Sequence, residues 1–212
     1  MPDDYPSWGK AAYRHLLKAD APMAALVKRQ GPLLRPTSKE YFPRLVRAIV
    51  GQQISTTAAT SIYNRFVALM GKGRTLTPRA VLRLTDEEIR AAGFSGAKLL
   101  SVRDLAQRAV DGRLDLPHLE SLPDEEIVQQ LVAVRGIGRW TAEMFLMFSL
   151  GRPDVLAADD LGVQAGIQRL YSLDKRPTPT QVRQLALDGR WHPYATAACL
   201  QLWESLRNNP QL

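Results

Sequence analysis

Two short stretches carry the residue types that could do chemistry. One is Gly136-Ile137-Gly138-Arg139, inside VRGIGRWTAEM; the other is the acidic pair Asp159-Asp160, inside AADD, about one helix and one loop later. The first lies between two expected helices, 124–133 and 139–150. Two glycines around one isoleucine read as a turn too tight for a side chain at either glycine. The amides of that turn, and those opening the second helix, lack intrahelical acceptors. With the helix dipole they form a small anion site whose natural guest is a phosphate diester. Ile137 is placed to plug the gap between the two helices. An ordinary helix–turn–helix joint that binds nothing has the same Gly-x-Gly, so the residues alone leave both readings open. The acids head a further helix, and a cap on its first turn is the plain reading for one of them.

The elements that must position these residues are helices. Leu45, Ile49, Ile54, Ala58, Ile62, Phe66 and Leu69 recur at helical spacing across 41–69, and GKG at 71–73 ends that run. Thr77 reads as a cap with Pro78 at the first helical position. Thr85 and Glu88 form a capping box, and Gly93 is a stop. KLLSVRDLAQRAVDG is amphipathic and ends at Gly112, while PDEEIVQQLVAV places proline and acids in a first turn. WTAEMFLMFSL is apolar almost all round and reads as buried. Further helices fit 160–171, 180–188 and 194–206. No segment keeps the period-2 alternation of a strand, so the fold class is all-α, without repeats or a low-complexity linker.

Lys and Arg total 28 against 21 Asp and Glu, a formal charge of +7 on 212 residues. That balance favours a polyanionic partner, nucleic acid first, although a merely basic protein has it too. The single cysteine, Cys199, excludes a disulfide framework and a cysteine-ligated zinc or iron–sulfur site. His15, His118 and His192 are scattered without ligand spacing. No apolar run approaches a membrane span of about 18 residues, and the polar start MPDDYPSWGK is no secretory signal. The expectation is a cytoplasmic, intracellular and nucleoid-associated chain, a monomer with no membrane partner.

Four stretches in order carry a resemblance: RAIVGQQISTTAA (47–59), GFSGAKLLSVRDLA (93–106), LVAVRGIGRWTAEMF followed by GRPDVLAADD, and WHPYATAACLQLW (191–203). Together they resemble the helix-hairpin-helix (HhH-GPD) DNA glycosylase superfamily, in its 3-methyladenine DNA glycosylase II branch, over roughly residues 40–206. The resemblance implies one glycosylase domain, 1–212, of two helical subdomains. One covers about 40–150 with the hairpin at 134–139, the other about 1–39 plus 151–212, with an active-site cleft between them. Larger bacterial relatives carry an N-terminal β-rich domain; the forty or so residues ahead of the shared region are too few for it, so the compact helical form is expected. Arg135 departs from the proline usual at that hairpin position.

The family flips a damaged nucleotide out of duplex DNA and hydrolyses its N-glycosidic bond, leaving a sugar with oxocarbenium character. The resemblance places the catalytic carboxylate on Asp160, which stabilises that cation and handles the attacking water, with Asp159 beside it. Members that also cut the strand carry a lysine just after the hairpin; this chain has Trp140, so no strand cleavage is expected. An indole face attracts cations, which suits 3-methyladenine and 7-methylguanine. Met144 follows one turn on, and Tyr194 matches a pocket aromatic, giving a base pocket of Trp140, Met144, Tyr194 and Asp159. Trp140 also reads as a core aromatic. Gln52 and Gln53 match the loop that fills the gap left by a flipped base, and equally fit a polar helix start. Gly136, Ile137, Gly138, Arg139 and Lys98 are the further DNA-binding candidates; for Lys98, and for Arg103, a solvated basic face serves equally well. No cofactor is required. A structural Na+ or K+ on the main-chain carbonyls of Val134 and Ile137 fits the family.

The function implied is a monofunctional DNA glycosylase for alkylated bases in double-stranded DNA, acting in base excision repair. The alternative is a non-catalytic helix-hairpin-helix DNA-binding module, which has no need of an acid after the hairpin. A third reading, a strand-cutting or iron–sulfur glycosylase, is disfavoured by Trp140 and by the absence of four cysteines.

Overall fold

The computed structural model describes residues 6–71, 73 and 75–207. Among them the chain forms twelve α-helices and no strand. They are α1 (Gly9–Leu16), α2 (Ala21–Gln30), α3 (Tyr41–Gly51), α4 (Thr56–Ala68), α5 (Pro78–Arg83), α6 (Asp86–Ala91), α7 (Gly96–Val110), α8 (Asp124–Val132), α9 (Arg139–Phe145), α10 (Leu161–Leu170), α11 (Pro179–Asp188) and α12 (Ala195–Arg207). A 3-10 turn spans Leu116–Ser121 and a π turn spans Leu146–Leu150.

The helix starts follow local chemistry. Thr77 accepts from the Ala80 amide with Pro78 behind it, and Thr85 and Glu88 close both bonds of the capping box. Thr178 and Gln181 form a second box at α11. The expected run over 41–69 is interrupted at Gln52–Ser55, where Ser55 caps α4. The expected helix 139–150 is α-helical only to Phe145 and continues as the π turn. Of the GKG stop at 71–73, Lys72 lies outside the described residues. α1 and α2, which the periodicity did not reveal, carry short apolar faces (Ala12, Leu16, Met23, Leu26, Val27) in a largely polar sequence.

Two compact units result: residues 1–38 with 146–212, and residues 39–145. In the second, α7 packs on α5, α6 and α3, and α3 on α4 and α9. Leu45, Ile49, Val81, Ile89, Leu99, Val102 and Leu105 are buried there, and Phe66 meets Phe94 with ring centroids 4.6 Å apart. In the first, α10 lies along α12, close enough that a Cβ on Gly166 would stand 2.9 Å from Leu202. Trp191 is fully buried in that unit. Each such large apolar side chain contributes about 1.5–3 kcal/mol of burial, so both units have the means to hold loops in fixed positions.

Candidate active site and nucleic-acid interface

The hairpin between α8 and α9 is a single tight turn. The Ile137 amide donates to the Val134 carbonyl at 3.1 Å, and Gly136 takes φ +77°. Ile137 is buried, as the plug reading requires. The two glycines are not equivalent, which corrects the expectation that both positions exclude a side chain. A Cβ on Gly136 would lie 2.5 Å from Ser101 Oγ in a conformation that L residues resist. Gly138 has no positive φ, and a Cβ there meets nothing within 4 Å. The Gly138 carbonyl accepts the Ala142 amide at 3.1 Å, which opens α9.

Arg139 sits on this turn with its guanidinium committed inside the hairpin. Nη1 and Nη2 grip Glu125 of α8 at 3.1 and 2.8 Å, and Nε reaches Glu143 at 3.2 Å. Hydrogen bonding to Glu125, ahead of its charge, holds the Arg139 pKa up, and the same bond holds the Glu125 carboxyl down. Arg139 thus staples α8 to α9 while half of its side chain stays exposed.

The other basic candidates, Lys98 and Arg103, reach main-chain carbonyls. Lys98 Nζ donates to the carbonyls of Val50 and Gln52 at 2.7 and 2.9 Å, closing the end of α3; burial lowers its pKa. Arg103 donates to the carbonyls of Val81, Leu82 and Leu84 and pairs with Asp86, tying off α5. Both satisfy helix-terminal carbonyls that would otherwise lack donors. Spacing showed their charge and helical face, not the carbonyls that long-range packing brings to them.

The loop after α3 separates the two glutamines. Gln52 turns inward, its Nε2 donating to the Gly136 carbonyl at 2.8 Å. Gln53 is exposed at φ +58°, a left-handed conformation uncommon for a residue with a Cβ. Trp140 is 48% exposed, so it is not a core aromatic, and Met144 one turn along α9 is half-buried.

In the other unit, Asp160 is the N-cap of α10. Its Oδ1 accepts from the Val163 amide at 2.7 Å and from Trp203 Nε1 at 2.8 Å. Trp203 lies on α12 with Phe148 tilted against it, ring centroids 6.0 Å apart. Gly162 makes this approach possible: a Cβ there would stand 2.9 Å from the indole and 3.0 Å from Oδ1. Asp159 points elsewhere, 3.3 Å from Arg183 of α11, and does not cap. The cap and the candidate reactive group are therefore the same acid, Asp160. Leu161, the next residue, is 65% exposed. Tyr194 precedes α12, with its ring near Trp8 and edge-on to His15 of α1 (centroids 6.4 and 5.3 Å apart). Sequence reading missed Trp203, Phe148 and Gly162; the only signal was an indole one helix length past WHPY.

Among the described residues no cluster of His, Cys, Asp or Glu could hold a metal ion, and no helix is long and apolar enough to cross a membrane.

The family model for HhH-GPD superfamily base excision DNA repair proteins matches residues 46–190. The chain is 37% identical over 195 residues to DNA-3-methyladenine glycosylase 1 of Schizosaccharomyces pombe, covering 90% of this chain and 85% of that protein. Among solved structures, a DNA-3-methyladenine glycosidase from Bacillus halodurans superposes with TM-score 0.85 at 36% identity, covering 95% and 91% of the two chains. The S. pombe 3-methyladenine DNA glycosylase in complex with abasic DNA gives TM-score 0.80 at 35% identity, covering 93% and 97%. With the hairpin, the capped acid and the all-helical fold in place, this chain belongs to the HhH-GPD superfamily of base excision DNA repair proteins.

Proposed function

We infer that this protein is a DNA glycosylase that removes alkylated bases in base excision repair, and that it does so without cutting the strand. The observation that carries the reading is the Asp160 carboxylate, fixed by the Val163 amide and the Trp203 indole, in a chain so similar along its length to 3-methyladenine glycosylases. A catalytic carboxylate must be held in one orientation before the reaction, and two donors on one oxygen do that.

In this reading, DNA backbone contacts come from the hairpin. Gly138 supports it: nothing within the protein crowds its Cβ position, so the small residue there suits a close approach from outside. Gln53, exposed and left-handed at a loop tip, fills the space left by the flipped nucleotide, while Gln52 braces the hairpin from within. Trp140 and Met144 receive the base, the indole face attracting its positive charge.

The bond that breaks joins C1′ of the sugar to the base nitrogen, and its electron pair leaves with the base. A cationic 3-methyladenine or 7-methylguanine departs neutral, so no acid is needed on the leaving group. Asp160 stabilises the sugar cation; water then bonds to C1′ and gives up a proton, with Asp160 as acceptor. The residue after the hairpin is an indole, with no amine to form a Schiff base.

No cofactor enters these steps. A Na+ or K+ would sit on the Val134 and Ile137 carbonyls. They fit as hard neutral oxygens, and Val134 keeps a second lone pair beside its bond from Ile137. Such an ion would stiffen the turn. The test of the function is a panel of lesion-bearing duplexes scored for base release, with and without alkali. Release of 3-methyladenine or 7-methylguanine with strand breaks only after alkali is expected. Breaks without alkali overturn the monofunctional reading, and binding without base release supports the binding-module alternative.

A further inference from the structure

The turn joining α8 to α9 has a type II pattern over Val134–Ile137: the fourth amide returns to the first carbonyl, and the third residue, Gly136, has positive φ. The second position of such a turn is where proline serves best, because its ring presets φ. Here that position is Arg135, which leaves φ softer and adds an amide N–H.

That N–H is held. Asp104 of α7 accepts it through Oδ2 at 2.7 Å, and Arg108 Nε in turn grips both Asp104 oxygens at 3.1 and 3.0 Å. Burial pushes the Asp104 carboxyl up; the Arg135 amide, then Arg108 and Arg113, outweigh it and hold the group below the usual carboxylate range. Asp104 is not isolated. Lys98, Ser101 and Asp104 recur every three residues along one stripe of α7. Lys98 ties down the loop that carries Gln52, Ser101 abuts Gly136, and Gln52 closes the ring on the Gly136 carbonyl.

We propose that Asp104 is a positioning residue for DNA binding: its carboxylate on α7 gives the hairpin, through a hydrogen bond to the Arg135 amide, the constraint that a proline at 135 would give covalently. The proposal rests on the reading of the hairpin as a DNA contact. It differs from a general stabilising role for Asp104 because it ties the effect to one amide.

The test is the dissociation constant for undamaged duplex at fixed salt, together with amide exchange at Gly136, Ile137 and Gly138. Asp104→Ala should weaken binding about tenfold, as loss of a charged hydrogen bond does, and should speed exchange at those amides. Asp104→Asn keeps an acceptor and should bind within about threefold of the parent. Arg135→Pro in the Asp104→Ala background should recover the affinity of Arg135→Pro alone. Arg135→Ala, which removes the same charge but keeps the N–H, should not rescue. Parent-like binding and exchange in Asp104→Ala, or equal rescue by both Arg135 variants, overturns the proposal. If the parent itself fails to bind duplex, the DNA reading fails, and amide exchange still judges the clamp.

Discussion

Replacing Gly162 by alanine should damage catalysis while sparing the fold and DNA binding. The added Cβ would lie 2.9–3.0 Å from the Trp203 indole and from Asp160 Oδ1, closer than van der Waals contact allows. Trp203 is half-buried and can swing, so the indole N–H is expected to leave the carboxylate. A hydrogen bond to a charged group is worth about 1.5–3 kcal/mol. If excision senses the orientation of Asp160, that converts to roughly a ten- to 150-fold slower chemical step. Stability should change little, because alanine in a helix gains about 0.5–1 kcal/mol over glycine and offsets part of the crowding. Single-turnover excision with enzyme in excess reads the chemical step; duplex affinity and Tm read the rest. Trp203→Phe, which keeps a ring against Phe148 and removes the donor, should show a similar loss, and the double variant should be no slower than either single one. Full-rate excision by Gly162→Ala, or losses that multiply in the double variant, would refute the claim that Trp203 orients the acid.

Two further perturbations separate the parts of the DNA-facing surface. Gly138→Ala should fold with unchanged or slightly higher Tm yet bind plain duplex more weakly, whereas Gly136→Ala should lower Tm by straining φ +77° against Ser101; equal binding by Gly138→Ala and the parent would mean that the open space there serves no partner. Trp140→Phe should leave Tm nearly unchanged, since the side chain is half-exposed, and should slow release of cationic lesions by several-fold to about thirtyfold, the span of cation–π energies. Equal slowing on a neutral lesion such as hypoxanthine would remove the charge-recognition argument.

The helical fold was legible because caps and stops are local. Thr77-Pro78, Thr85 with Glu88, and Gly112 each act within one turn of chain, and the structure uses them as read. α1 and α2 were not legible, since two short apolar faces in a largely polar stretch carry little periodic signal. The site divided along the same line. Gly136 and Ile137 were readable, because a turn declares itself in sequence. The partners of Lys98 and Arg103, and Glu125 as a partner of Arg139, were not: which carbonyl or carboxylate a long side chain meets depends on helix packing over 14 to 48 residues of separation. The same holds for Trp203, which reaches Asp160 across 43 residues. For Gly138, the reverse applies. Sequence suggested a steric need, and the structure shows open space around that position.

The central claim, that Asp160 is the reacting carboxylate as well as the cap of α10, is tested most directly by Asp160→Asn. Asparagine caps a helix as well as aspartate does and still accepts from Val163 and Trp203, so the variant should fold and bind lesion duplex as the parent does. Single-turnover release of 7-methylguanine should fall by about 10²–10⁴-fold, the usual worth of a positioned acid–base group. Release at a rate comparable to the parent, with binding intact, would contradict the assignment and turn attention to Asp159.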